Sequence, residues 1–416
     1  MTRPQVLVMF GATGDLFSRK LLPSLVRLHA EGELGDLRVV GTGRHAPDDR
    51  EAWISELREA ATEAVPEGVR GSVDAVVDRI SFVVSSADDG DDLAREVAQA
   101  EADLAEAGLA ESGSDEAGRV LYFSVPPTAL EDLLGMIDRT GLSERARLVV
   151  EKPYGLDAES GRALDAALHD VVDEDRVYRI DHFLGSAAVA ELAGLDPEGV
   201  QQVQVDVPET LGLEGRAGFY ESTGCLRDMV VTHLAQLVGV IAAPAREGAA
   251  WRDARAEVFA AMAPLTDEET VLGQYVGYRD EEDVDDGSTV ETYAATIFHL
   301  SSGPWRDVPF VVRTGKNLAA NRSVVTLRHR DGSERTVDVD AAEEGLALDP
   351  YARLLADVAA GDPSRFVRGD HAEELWRVVA PVLDDDRPPV TYEPGSWGPA
   401  EADELPGPDG WSLSHA

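Results

Sequence analysis

At 416 residues with 44% hydrophobic content, the chain exceeds one typical domain, so two domains, each with its own core, are expected. Lys and Arg number 37 against 79 Asp and Glu, a formal net charge of −42, and such a field excludes nucleic acid and anionic membrane as partners. The single Cys225 permits neither an internal disulfide nor a thiolate metal cluster. No run of about eighteen apolar residues occurs, and Met1 to Pro4 lead directly into a strand pattern, so a cytoplasmic protein without a signal peptide is expected.

The apolar run Gln5 to Phe10 ends at Gly11-Ala12-Thr13-Gly14-Asp15-Leu16, and helical spacing follows through Leu21, Leu22, Leu25, Leu28 and His29. Strand, glycine turn and helix in that order let a backbone approach a pyrophosphate at a helix N-terminus. The spacing is not the usual G-x-G-x-x-G, so the turn alone is a weak signal. Leu37 to Val40 forms the next strand and ends in Gly41-Thr42-Gly43-Arg44. A carboxylate there would favour a free ribose hydroxyl, whereas Arg44 suits a 2′-phosphate and points to NADP.

Strand-like runs at 80–84, 119–125 and 146–150 alternate with helical stretches near 89–109, 127–141 and 157–170, which predicts a parallel, doubly wound sheet. Residues 107–118, rich in Gly, Ser and acid, read as a solvated loop. Lys152 follows the strand ending at Val150, with Pro153 fixing the backbone behind it. Val177 to Ile180 then delivers Asp181 and His182 side by side at a strand end, a common place for a site.

In the second half, Gly199 to Val207 alternates as a strand, with Glu209 just past its end. A helix is predicted from about Gly224 to Ala242; its Asp228 and His233, five apart, do not stack on one face but could still flank a common cleft. Strand-like runs at 271–276, 291–298, 309–312 and 324–328, without crossover helices, predict antiparallel sheet and an α+β domain. The acidic run Asp280 to Asp286 reads as a solvated hairpin loop, because it lacks the register of a calcium loop. Helices near 350–360 and 370–383 precede a Gly/Pro/acid tail. The expected division is 1–180 for the dinucleotide domain and 181–416 for the substrate domain. Histidines 29, 45, 169, 299, 329, 371 and 415 show no ligand spacing and read as surface or packing residues, and no metal site is expected.

The glycine turn at residues 11–16, Glu151-Lys152-Pro153, Arg179-Ile180-Asp181-His182, Arg227-Asp228-Met229 leading to His233, Val271-Leu272-Gly273-Gln274-Tyr275 and Arg313-Thr314-Gly315-Lys316 occur in an order that resembles the glucose-6-phosphate dehydrogenase family. Pro304-Trp305, Gly395-Ser396-Trp397-Gly398-Pro399 and Ala402-Asp403 extend the resemblance almost to the C-terminus. It implies a Rossmann domain, an α+β domain with a large antiparallel sheet, and NADP-dependent oxidation of a sugar at its anomeric carbon to a lactone, as in the pentose phosphate pathway. It further implies His233 as general base with Asp181 orienting and stabilising the imidazolium, chemistry that suits an imidazole titrating near working pH. Lys152 is placed between cofactor and sugar, His182 at the substrate phosphate, and Glu209, Asp228 and Lys316 around the sugar hydroxyls. The dinucleotide falls to Gly11, Thr13, Gly14, Asp15, Leu16, Arg44 and Lys152.

Four departures accompany the match. Phe183 and Ser186 stand where a tyrosine and a lysine are usual, Asn321 replaces a basic residue with Arg322 beside it, and Thr232 replaces an asparagine. Lost phosphate contacts leave three readings open: a divergent glucose-6-phosphate dehydrogenase that recruits Arg322 or Arg19, a paralogue oxidising a different sugar, and a catalytically idle sugar-phosphate sensor. A homodimer is the assembly the family implies. The stretch between Arg330 and Asp349 is far shorter than in typical members, so part of the large sheet is expected to be missing and the assembly stays open.

Overall fold

The computed structural model describes residues 5–106, 118–340, 348–383 and 387–415. Contacts divide the chain into two compact units, the first made of Met1–Tyr154, Arg162–Gly185 and Gly345–Gly369, the second of Gly155–Gly161, Ser186–Glu344 and Asp370–Ala416. A single boundary after residue 180 is therefore too simple a description. The reason is apolar: Ala352, Leu354, Leu355, Val358 and Phe366 are buried in the same core cluster as Leu21, Leu25 and Val39.

In the first unit six strands, β1 (Gln5–Phe10), β2 (Leu37–Gly43), β3 (Ile80–Val84), β4 (Gly118–Phe123), β5 (Ala146–Val150) and β6 (Val177–Arg179), all pair in parallel. Their order is β3-β2-β1-β4-β5-β6. β1 is buried at every position between β2 and β4, which is why it reads as an unbroken apolar run. The order reverses at β1 and β4, and a crevice at the carboxyl ends of the strands is the consequence. The helix Arg50–Ala64, not foreseen from the sequence, starts at Asp49, whose carboxylate accepts the amides of Glu51 and Ala52. Apart from Gly118, which opens β4, the predicted loop at 107–118 lies outside the described residues.

The second unit carries a seven-stranded sheet of β7 (Val200–Pro208), β8 (Thr270–Tyr275), β9 (Tyr293–Phe298), β10 (Phe310–Gly315), β11 (Val324–His329), β12 (Glu334–Asp338) and β13 (Val390–Tyr392), in the order β12-β11-β7-β10-β9-β8-β13. Pairing is antiparallel except between β7 and β10 and between β8 and β13. The acidic run 280–286 joins β8 to β9 and faces solvent over most of its length.

The apolar stretch 217–242 is helical in three parts, Ala217–Cys225, which is interrupted at Gly224, a π-helical segment Leu226–Leu234, and Ala235–Ala242. By length and composition it could cross a membrane, but 89% of its most apolar window is buried inside this protein, which makes it a core helix.

Candidate functional site

Every candidate side chain of the first unit stands at the carboxyl end of a parallel strand. Gly11, after β1, has φ +80°, and a Cβ there would lie 2.1 Å from the Ser124 carbonyl oxygen, so only glycine fits. Its amide donates to Thr42 at 3.0 Å, and Gly14 closes the turn back onto the Gly11 carbonyl at 2.9 Å. Thr13, Gly14 and Asp15 are exposed, Leu16 is half-buried, and the helix that begins at Asp15 continues through a π turn at Phe17–Leu21. Free amides at such a start attract an anion. Arg44 emerges exposed just after β2 and makes no ion pair among the described residues.

After β5 come Glu151 and Lys152, both half-buried. The Glu151 carboxyl accepts the Tyr122 hydroxyl. Enclosure raises its pKa to about 7; the Tyr122 bond and the Lys152 charge oppose the rise, and the Asp181 charge adds to it. After β6, Asp181 is only 1% exposed and accepts the Phe183 amide at 2.9 Å. The His182 ring lies parallel to that of Tyr351, with centroids 6.1 Å apart and planes within 3°. Burial, then the charges of Glu151, Asp181 and Asp349, push the Tyr351 phenol upward. No sequence pattern pointed to Tyr351, which is remote along the chain; Glu151 was legible only as the neighbour of Lys152.

A second acid and histidine group lies in the same unit: His169 stands 3.4 Å from Asp165 and 3.0 Å from Glu174, closer than the sequence spacing suggested. The Arg179 guanidinium bridges both carboxylates, so this is an ion-pair network in which one cation is shared by two acids. His371 is buried against the Arg252 carbonyl at 2.9 Å, a packing role.

In the second unit Glu209 and Lys316 follow the adjacent parallel strands β7 and β10 and form an ion pair. Backbone bonds fix the corner: Glu209 donates to Gly315 at 2.9 Å, and Leu318 donates to Glu209 at 2.8 Å. The Lys316 ammonium, 4% exposed as a residue, lies 5.8 Å from the centre of the Tyr220 ring. Cys225 is buried and donates to the Thr314 carbonyl at 3.8 Å, and burial pushes its thiol far up, so it packs as a small apolar group.

Asp228 and His233 lie on the π-helical segment. There i→i+5 bonding places residues five apart about one turn apart, so the two share a face. This corrects the α-helical expectation. Just before this segment Gly224, with φ of 64° and ψ of 178°, breaks the helix. Glu291 fills the gap, accepting the Leu226 amide at 2.9 Å, while its carbonyl takes the Cys225 amide at 2.9 Å. His233 is 1% exposed, and Thr232 spends its hydroxyl on the Asp228 carbonyl.

The departures have visible geometry. Ser186 is buried, donates to the Val339 carbonyl at 3.0 Å and accepts the Ala188 amide at 3.2 Å, so its hydroxyl is committed to main chain. Phe183 is buried, its ring centre 5.0 Å from that of His182 and the two planes inclined at 67°. Asn321 is exposed. Arg322 donates from its backbone to Pro208, beside Glu209, and its guanidinium holds Asp338 at 2.8 Å. Arg19 is exposed and 3.8 Å from Asp15.

The family description "Glucose-6-phosphate dehydrogenase, NAD binding domain" matches residues 8–191, and "Glucose-6-phosphate dehydrogenase, C-terminal domain" matches 194–349 and 333–412. The chain is 32% identical over 478 residues to the glucose-6-phosphate 1-dehydrogenase of Gluconobacter oxydans (strain 621H), covering 96% of this chain and 95% of that one. It is 32% identical over 462 residues to glucose-6-phosphate 1-dehydrogenase 1 of Mycobacterium tuberculosis (strain CDC 1551 / Oshkosh), covering 98% and 96%. Among solved structures, the Mycobacterium avium glucose-6-phosphate 1-dehydrogenase is similar with a TM-score of 0.80 and 29% identity over 96% of this chain and 97% of that one. A glucose-6-phosphate dehydrogenase in complex with glucose 6-phosphate gives a TM-score of 0.84 and 25% identity over 100% and 99%.

Proposed function

Because the chain belongs to the glucose-6-phosphate dehydrogenase family, we propose that it oxidises glucose 6-phosphate at C1 to the 1,5-lactone, with NADP accepting the hydride. As the C1–H bond breaks, the C1 hydroxyl gives its proton to His233, and the Asp181 carboxylate stabilises the imidazolium that forms. Lys152 steadies cofactor and sugar, while Glu209, Asp228 and Lys316 bind the sugar hydroxyls; carboxylates accepting from vicinal hydroxyls let an acidic protein hold a sugar. The observation that carries this reading is the second unit's pairing of a buried imidazole with Asp228 one turn away on a π segment, a helix form concentrated at functional sites.

The glycine turn admits a pyrophosphate backbone without a Cβ in the way, and exposed Arg44 at the end of β2 fits a 2′-phosphate. NADP when bound supplies the hydride acceptor; the chain's residues orient it and hold the proton. We assign the substrate phosphate to His182, with Arg322 as the replacement cation. A cytoplasmic location accords with this metabolism.

A second reading has one specific support. The hydroxyl of Ser186 serves the main chain, so the side chain that stands in place of a lysine offers the phosphate nothing. Each charge-assisted bond is worth roughly 1.5–3 kcal/mol, so its loss lowers affinity about ten- to a hundredfold and leaves room for a different sugar. Purified protein with NADP and a panel of phosphorylated and free sugars, followed by absorbance of the reduced cofactor, separates the two; no turnover with any sugar would indicate an idle sensor. His233→Asn is expected to remove turnover and retain NADP binding. Unchanged turnover in that variant would dispose of the assignment.

A further inference from the structure

Arg313 and Asp206 form an ion pair inside the second unit's sheet that the proposed chemistry does not use. Both are at most 1% exposed, and the Arg313 Nε and Nη2 reach one Asp206 oxygen at 2.7 and 2.6 Å. The guanidinium carbon lies 4.1 Å from the ring centre of Trp411 and 5.0 Å from that of Trp397. Burial raises the Asp206 carboxyl even against the adjacent guanidinium, so the environment disfavours the charges. Buried pairs of this kind contribute little net stability, and apolar replacements are often equally stable. Their presence asks for another account.

The strands supply it. β7 and β10 run parallel with Asp206 opposite Arg313. Around the pair they offer near-repeats, Val203, Val205 and Val207 against Phe310, Val312 and Thr314, and a slide of two residues would keep every side chain on its own face. The apolar pattern thus specifies the register weakly; the ion pair specifies it strongly. Three residues beyond each partner stand Glu209 and Lys316, ion-paired to each other. A two-residue slip would displace one against the other by roughly 6.6 Å, out of ion-pair reach.

We propose that Arg313 and Asp206 are positioning residues that set the register of β7 against β10 and so hold Glu209 and Lys316 in sugar-binding geometry. The C-terminal segment completes the clamp. Besides its two indoles over Arg313, the Tyr392 hydroxyl donates to the Lys316 carbonyl at 2.7 Å, Gly395 donates to Asn317 at 2.7 Å, and Ala319 donates to Ser396 at 2.8 Å.

The sugar role of the pair rests on the function proposed above; the register role does not, and the experiment separates them. The apolar double variant Asp206→Leu/Arg313→Met is compared with wild type by three measurements: sugar KM and kcat, Kd for NADP by calorimetry, and the rate of reductive methylation of Lys316 read by mass spectrometry. Expected are a rise in sugar KM of about tenfold, NADP Kd within about twofold, and Lys316 labelling faster by about fivefold or more. Should the double variant not fold, Arg313→Lys, which keeps the charge but loses the planar fork, is expected to move KM and labelling in the same directions by roughly threefold. Native sugar KM together with native labelling in a folded variant overturns the proposal. Wild-type protein that turns over no sugar defeats the proposed function alone, and the labelling still decides the register.

Discussion

Glu151→Gln tests the electrostatics of the first unit's strand ends. The Glu151 carboxyl, enclosed beside Tyr122, has its pKa raised from an ordinary 4.5 to about 7. The native state therefore keeps this proton at pH values where the unfolded chain has released it. Stability falls as pH rises wherever the native state binds more protons, so the loss begins near 4.5 and is complete just above 7. At about 1.4 kcal/mol per pH unit the total is about 3 kcal/mol. Glutamine retains the shape and an acceptor for Tyr122 but cannot ionise. The assay is native-state hydrogen exchange of the β5 amides, which reports on the first unit, for both proteins from pH 5 to 8 after correction for intrinsic exchange. The variant is expected to gain on wild type by roughly 2.5 kcal/mol between pH 5 and 8, with the gap nearly constant above pH 7.5. A gap that stays constant over the whole range would refute the argument.

Arg44→Ala should raise the KM for NADP by about ten- to a hundredfold, the worth of a charge-assisted phosphate contact, and barely move that for NAD; equal effects on both would remove Arg44 from the 2′-phosphate. Gly224→Ala places a Cβ 2.4 Å from the Glu291 carboxylate at a backbone conformation nearly exclusive to glycine. Backbone strain and the weakened helix cap cost at least about 2 kcal/mol, so calorimetry should show the second unit melting at least about 4 °C lower, and an unmoved transition would show that Gly224 is replaceable. Tyr351→Leu removes the ring stacked on His182, and since aromatic pairs are worth about 0.5–1.5 kcal/mol, KM for glucose 6-phosphate should rise roughly two- to tenfold. Tyr351→Phe should stay near wild type, and loss of affinity in that variant alone would transfer the role to the hydroxyl.

What the sequence disclosed, and what it hid, follows from the range of the interactions involved. β1 to β6 were readable as apolar runs, unbroken where a strand is buried on both faces and looser at the edge strand β3, and the candidates Gly11, Arg44, Lys152 and Asp181 were readable because each follows the end of such a run. The relation of Asp228 to His233 was not: spacing implies a face only once the helix type is known, and no local pattern marks 226–234 as π-helical. Tyr351 beside His182, and Trp397 and Trp411 over Arg313, are likewise products of tertiary packing with no local trace. The helix Arg50–Ala64 escaped notice because it buries only Trp53, Leu57 and Ala61, a stripe too thin to stand out.

The return of residues 345–369 to the first unit has a consequence for biosynthesis. Leu354, Val358 and Phe366 finish a core whose other walls are made within the first 180 residues, and Asp349 accepts the Ser24 hydroxyl at 2.8 Å and pairs with Arg27. A nascent chain emerging N-terminus first must therefore hold an unsealed first unit until most of the second unit has left the ribosome. Ribosome-bound fragments ending before Phe366 lack part of that core, so the first unit matures only after most of the second has been synthesised.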